Sequence, residues 1–304
     1  MFNEENKKRF MDDIDLDQYP YNYWQNMFNK SEQLEEMYGK DLYDFSKKEV
    51  LTFLKFQDSK SFDYISVIIF NLRKYSQWAL KEGLLIDGQN HFAEISKEDV
   101  NSCVNKLGLD ESIISKEEMV SILYKIPNCR DKFVMIALFT GIKGLGYSEI
   151  VRANLSDIDE SAHKMKLCTG RIIDISDDLI RVAKLADQEQ EYIYSDGKKR
   201  TLYGDYGALY KNSSPKTTEE QTIKRFPRSF RNMLDDLGVS RYLTINSIFT
   251  SGLIDCINGI CEKNNLTTSE VFADPKHVEY LHNQYGFNIA IANRFITKYK
   301  DYLK

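Results

Sequence analysis

Helix-start signals recur along this chain, and they restrict its fold more than any other feature. Ser46-Lys-Lys-Glu49, Ser115-Lys-Glu-Glu118 and Thr267-Thr-Ser-Glu270 are capping boxes. In each, a hydroxyl and a carboxylate satisfy orphan amides of a first helical turn. Ser96-Lys-Glu-Asp99 is a weaker version. Between Ser61 and Leu85 the apolar residues Ile65, Ile68, Ile69, Leu72, Tyr75 and Ala79 recur at three- and four-residue spacing, and Gly83 stands where a helix C-cap belongs. This spacing predicts a long amphipathic helix in an all-helical N-terminal region from about Asp17 to Asp110. A second region starts at the Ser115 cap.

The second region has one clear β signal. His163 to Leu167 and Arg171 to Ile175 flank Cys168-Thr169-Gly170 as a hairpin would. Ser176 caps a helix through Ala186, Ser195 to Ser214 reads as loop, and the pattern is helical again from Thr218, with breaks near Gly238, Gly259 and Pro275. A last helix, about Asn288 to Leu303, carries Ile289, Ala292, Phe295, Ile296, Tyr299 and Leu303 on one side. The expected fold is mainly α with a small β-hairpin or sheet, in two domains, 1–112 and 113–304. A chain of 304 residues can supply both cores.

No apolar run approaches the ~18–20 residues of a membrane span; the longest, Phe133 to Phe139, is core-sized. No apolar stretch follows a basic start, and five scattered cysteines point to free thiols in a reducing, cytoplasmic setting. His277 and His282 are five apart, as are Cys256 and Cys261, so neither pair shares a helical face and no metal site is expected. Gly141-Ile-Lys-Gly-Leu-Gly146 lacks the Gly-Lys-Ser/Thr ending of a phosphate loop, and no cofactor is expected.

Charge is unevenly spread. Met1 to Asp44 is acidic, with a net of −6, whereas Ser195 to Arg241 carries a net of +4. An overall charge of −5 therefore does not exclude a polyanionic partner, because the local field decides. Lys224, Arg228 and Arg231 fall along one helical stripe with Arg225 beside it, opposite Phe226, Phe230 and Leu234; Pro227 is expected in the first turn of that helix. A basic stripe beside a Lys198-Lys199-Arg200 loop suits contacts to a phosphate backbone. The acidic segment suits a partner surface, an internal mimic of DNA or a solubilising tail.

The order of elements resembles the tyrosine recombinases, the phage integrase family. Thr140-Gly-Ile, Tyr147-Ser-Glu-Ile-Val and Leu155-Ser-Asp-Ile-Asp159 precede the hairpin as in that family, and Leu243-Thr-Ile-Asn-Ser-Ile-Phe-Thr250 lines up with its second box. The resemblance implies a helical core-binding domain followed by a catalytic-fold domain, closing on double-stranded DNA. The family's catalytic groups are replaced. Its first arginine falls on Gly146, or on Lys143 across a local insertion. Its box-two histidine and arginine fall on Leu243 and Asn246, and its later histidine or tryptophan on Phe287. Its nucleophilic tyrosine falls on Phe295 or Ile296. Lys166 or Arg171 occupies the hairpin lysine position.

Within that family the chain is similar to the recombinase-fold lysogeny repressors of SPβ-like Bacillus phages. That likeness implies a non-enzymatic, sequence-specific repressor at operator sites in the host cytoplasm, near the nucleoid. Its contacts would come from Lys143, Lys166, Arg171, Lys198, Lys199, Arg200, Lys224, Arg225, Arg228, Arg231 and Asn246. Self-association through the C-terminal helix and a regulatory protein partner are further implications. Two other readings stay open: a divergent active recombinase with Tyr299 or Tyr302 as nucleophile, and a helical interaction module with no DNA role.

Overall fold

A computed structural model describes residues 1–14, 21–204 and 207–304. The start of the helical region expected at Asp17 lies outside the described residues. The chain divides into two compact units, Met1–Asp110 and Glu111–Lys304.

The first unit contains α1 (Glu4–Asp13), α2 (Tyr21–Tyr38), α3 (Lys47–Phe56), α4 (Phe62–Lys81), α5 (Lys97–Ser102) and α6 (Lys106–Asp110). Helix α4 is the long helix expected, and Ile65, Ile68, Ile69, Leu72, Tyr75 and Ala79 are all buried. Phe10 packs edge-on to Trp24 at 4.8 Å and against Tyr75 at 4.7 Å, so α1 is part of this core. The described part of the acidic segment is therefore packed into this core. Some of its charge is internal: Lys7 Nζ bonds both oxygens of Glu35 at 2.6 and 2.7 Å, with both side chains fully buried. Burial pushes the Glu35 carboxyl above the usual range, and Lys7 pulls it back.

The second unit contains α7 (Lys116–Lys125), α8 (Cys129–Thr140), α9 (Ser148–Val151), β1 (Ile158–Asp159), β2 (Lys164–Lys166), β3 (Ile172–Asp174) and α10 (Asp177–Gln188). It continues with β4 (Glu191–Ile193), β5 (Lys199–Thr201), α11 (Glu219–Asp236), α12 (Ile245–Asn264), α13 (Thr268–Ala273), α14 (Pro275–Tyr285) and α15 (Ala292–Tyr299). Strands β1, β2 and β3 form an antiparallel sheet in which buried Met165 faces buried Ile173. Ser115 and Thr267 cap α7 and α13 as their sequences predict.

Four local expectations need correction. The stretch expected as loop from Ser195 contains β5, paired with β4 so that Tyr192 faces Arg200 and Ile193 faces Lys199. Pro227 lies inside α11, which starts at the Thr218–Gln221 capping box. Proline forfeits one backbone hydrogen bond there, while buried Phe226, Phe230 and Leu234 hold the helix to the core on both sides. Helix α12 runs through Gly259 and ends at Asn265, which takes a left-handed φ of 53°. The last helix begins later than expected: the Asn288 side chain accepts from the Ala290 amide and draws Ile289–Ile291 into a 3-10 turn.

Helix α8 runs through the middle of this unit, packed by α10 on one side and α12 on another, with Phe133 to Phe139 all buried. The crossing with α12 depends on Gly252. A Cβ there would lie 1.7 Å from the carbonyl oxygen of Phe139. The Tyr285 hydroxyl shares its hydrogen between the carbonyls of Phe139 and Gly252, at 2.9 and 2.8 Å. Among the described residues no helix is long and apolar enough to cross a membrane, and no group of three or more His, Cys, Asp and Glu could hold a metal ion. Gly252→Ala is expected to destabilise the protein by at least about 3 kcal/mol, because backbone, which cannot rotate away, fills the required space; urea unfolding followed by circular dichroism measures it.

Candidate nucleic-acid interface

The ends of α8 and α14, the start of α12, the β2–β3 hairpin and α15 line a solvent-open cavity of about 770 Å3. Lys143 enters it just beyond the end of α8, where Gly141 turns the chain with a φ of 104°. Its Nζ donates to Asn246 Oδ1 at 3.2 Å and stands 4.4 Å from the Phe249 ring centroid. Both partners lie in the first turns of α12. Burial lowers the Lys143 amine below the usual lysine range, partly opposed by the charge of Glu149.

Glu149, on α9, is the buried acid of the site, with its side chain 1% exposed. It accepts from the Lys143 amide at 3.0 Å, Thr169 Oγ1 at 2.5 Å, and Arg171 through Nε at 3.1 Å and Nη2 at 2.6 Å. Burial pushes this carboxyl up, and the bonds from Arg171, Thr169 and Lys143 outweigh it, so it titrates below the usual glutamate range. Arg171 also donates to the carbonyls of Gly141, Asn283 and Gln284 at 2.9–3.0 Å. Its guanidinium is thus engaged inside the protein rather than presented to a ligand.

The remaining basic residues do not converge on this cavity. Lys166 is exposed on β2, and Lys198 and Lys199 pair with Asp196 and Glu191 on the β4–β5 hairpin. Arg200 stands 5.6 Å from the Tyr194 ring centroid. On α11, Lys224 pairs with Glu220, while exposed Arg225 and Arg228 make no ion pair among the described residues. Arg231 binds Asp235 and donates to the carbonyls of Arg241 and Leu243, tying α11 to the segment before α12. The stripe presented outward is therefore Arg225 and Arg228, with Lys224 alongside.

A sequence model described as "MrpR, N-terminal core-binding domain" matches residues 1–81, and one described as "MrpR, C-terminal catalytic domain" matches residues 113–302. The chain belongs to the MrpR family. A relative in Bacillus subtilis (strain 168), the SPbeta prophage-derived uncharacterized protein YopR, is 25% identical over 83% of this chain and 80% of its own. The solved XerA recombinase aligns over 98% of this chain and 96% of its own, at 11% identity and a TM-score of 0.39. A lambda integrase dimer bound to a COC' core site aligns over 97% and 93%, at 15% identity and 0.43. These superpositions are too loose to carry residue assignments.

Within this MrpR-family chain the core-binding and catalytic-type domains follow in that order, and the positions named from sequence can be located. Lys143, not Gly146, lines the cavity; Gly146 sits in the next turn, facing Ile223. Phe287 stacks on Phe272 at 5.2 Å, and Phe295 meets Phe287 edge-on at 5.6 Å and Tyr299 at 4.8 Å. Tyr299 lines the cavity and Tyr302 does not. Sequence reasoning missed Arg294 and Lys298, four apart on α15, which also line it; their i, i+4 spacing around Phe295 was the available signal. It also missed Arg130, buried between the rings of Tyr192 and Tyr210 and paired with Asp131.

Glu149→Gln is expected to cost about 3 kcal/mol at pH 7, because Arg171, largely enclosed, then loses its anion. Glu149 titrates low in the folded state, so its contribution is complete above the ordinary glutamate value of about 4.3. It fades as pH falls through the lower folded-state value. The stability gap between parent and variant should therefore narrow between pH 7 and pH 3 in urea titrations.

Proposed function

We propose that this chain is a sequence-specific DNA-binding repressor of phage lysogeny that uses the recombinase scaffold without cleaving DNA. The observation that carries this reading is chemical. The cavity holds a lysine bonded to an asparagine and is lined by Phe287 and Phe295; the family resemblance carries the later histidine onto Phe287 and the nucleophile onto Phe295 or Ile296. Strand cleavage of this type needs a phenol oxygen to attack phosphorus, and a phenyl ring has none. It also needs guanidinium groups around the developing phosphoryl charge, and Asn246 supplies at most one neutral hydrogen bond. Arg225 and Arg228 remain exposed, which suits contacts to a duplex backbone. The prophage origin of the Bacillus relative supports a phage setting.

A second reading, a divergent active recombinase, is favoured by one observation: Tyr299 carries a phenol on the wall of the cavity that holds Lys143. A duplex with a nick beside the cleavage position separates the two. The repressor forms no covalent adduct on it, whereas an active enzyme becomes trapped and migrates as a heavier band that Tyr299→Phe abolishes. A helical interaction module with no DNA role would give no gel shift on phage or host fragments at low salt.

Arg225→Glu combined with Arg228→Glu is expected to weaken binding to all duplexes alike, by tenfold or more at low salt. The slope of log affinity against log salt should become shallower by about 2. Filter binding from 50 to 200 mM salt measures both; unchanged affinity excludes this face from the interface. Arg231→Glu should instead lower stability, because Arg231 holds two backbone carbonyls.

A further inference from the structure

We propose that the Lys143 cavity is a binding site for a small aromatic phosphate of mononucleotide size, and that the bound phosphate and the duplex exclude each other. The exclusion rests on the DNA-binding reading above; binding of the phosphate itself does not.

The cavity is larger than a backbone phosphate requires. Its 770 Å3 falls within the ~300–1,000 Å3 that encloses small organic ligands. Its charge favours an anion. Glu149, the sole carboxylate on the lining among the described residues, is held by Arg171, which leaves Lys143 and Lys298 facing the space from different elements, with Arg294 on the same lining. Neither lysine makes an ion pair among the described residues: Lys143 meets the neutral Asn246, and Lys298 lies 5.0 Å from the Tyr299 ring. Thr250 also lines the space, while Thr169 gives its hydroxyl hydrogen to Glu149.

Part of the wall is apolar, made by Leu253, Phe287 and Ile291, with the Phe249 ring beneath Lys143. A phosphodiester of duplex DNA can meet the two lysines, but its sugar-phosphate chain offers nothing flat and apolar to that wall. A phosphate joined to an aromatic ring meets both halves, as ligand sites with an apolar lining and a few placed polar groups do. Because one set of cations would serve both anions, occupancy by one lowers affinity for the other by the same factor.

Titration calorimetry at low salt with adenosine 5′-monophosphate, adenosine and inorganic phosphate tests the assignment. The mononucleotide should bind saturably, at least tenfold more tightly than either of the others. Lys298→Ala, on an exposed position of α15, and Lys143→Met should each weaken it about tenfold while thermal unfolding stays cooperative. No saturation at millimolar mononucleotide overturns the site, as does equal affinity for inorganic phosphate, which would make it a backbone-phosphate contact only. Affinity unchanged in both variants also overturns it, by placing the ligand elsewhere. Added mononucleotide should lower duplex affinity in a gel shift; if it binds and the shift is unchanged, mutual exclusion is wrong. If no duplex binds at all while the mononucleotide does, the repressor reading falls and the cavity assignment stands.

Discussion

One guanidinium holds the site together. Arg171, at the edge of β3, binds buried Glu149 and three carbonyls at the C-terminal ends of α8 and α14. Carbonyls at helix ends carry partial negative charge and lack intrahelical donors, so a cation there satisfies them while its carboxylate partner balances its charge. The cost of burying Glu149 is offset by four donated hydrogen bonds. The approach is close because Gly141 has no side chain: a Cβ there would lie 2.3 Å from the Gln284 carbonyl oxygen. Gln284 reinforces the joint by donating to the carbonyls of Thr140 and Asp174. Hairpin, central helix and C-terminal segment are thereby set at fixed distances around the cavity.

That rigid frame carries an aromatic cluster at the C-terminal side of the cavity. Phe287 and Phe295 join Phe272 and Tyr299 in a ring cluster that closes the C-terminal core. Each well-placed aromatic pair adds roughly 0.5–1.5 kcal/mol beyond the area it buries. Histidine and tyrosine at those positions would bring polar atoms that need partners in the same space. The phenyl rings present fill that space with no polar atom to satisfy.

Much of the fold was legible because it is written in short-range patterns. The Ser46, Ser115 and Thr267 boxes all start helices, and the α4 stripe is buried as its spacing implies. The hairpin around Thr169 forms with Met165 and Ile173 paired. The misreadings share a cause. Gly259 and Pro227 are breakers by local propensity, and tertiary packing of α12 and α11 overrides both. Strand β5 has no apolar alternation, since all three of its residues are exposed, so only its partner β4 reveals it.

The candidate site was less legible than the fold. From sequence alone, Arg171, Arg225, Arg228 and Arg231 are equivalent cations near a hairpin or on a helix. Their partners separate them: Arg171 and Arg231 hold backbone carbonyls, and Arg225 and Arg228 face solvent. The chain by itself determined where helices begin and which faces are apolar, because those depend on neighbours a few residues away. Tertiary structure alone decided that Lys143 meets Asn246, 103 positions later, and that Arg171 reaches Gln284, 113 positions later. Contacts at such separations depend on how helices pack, and no local spacing encodes that.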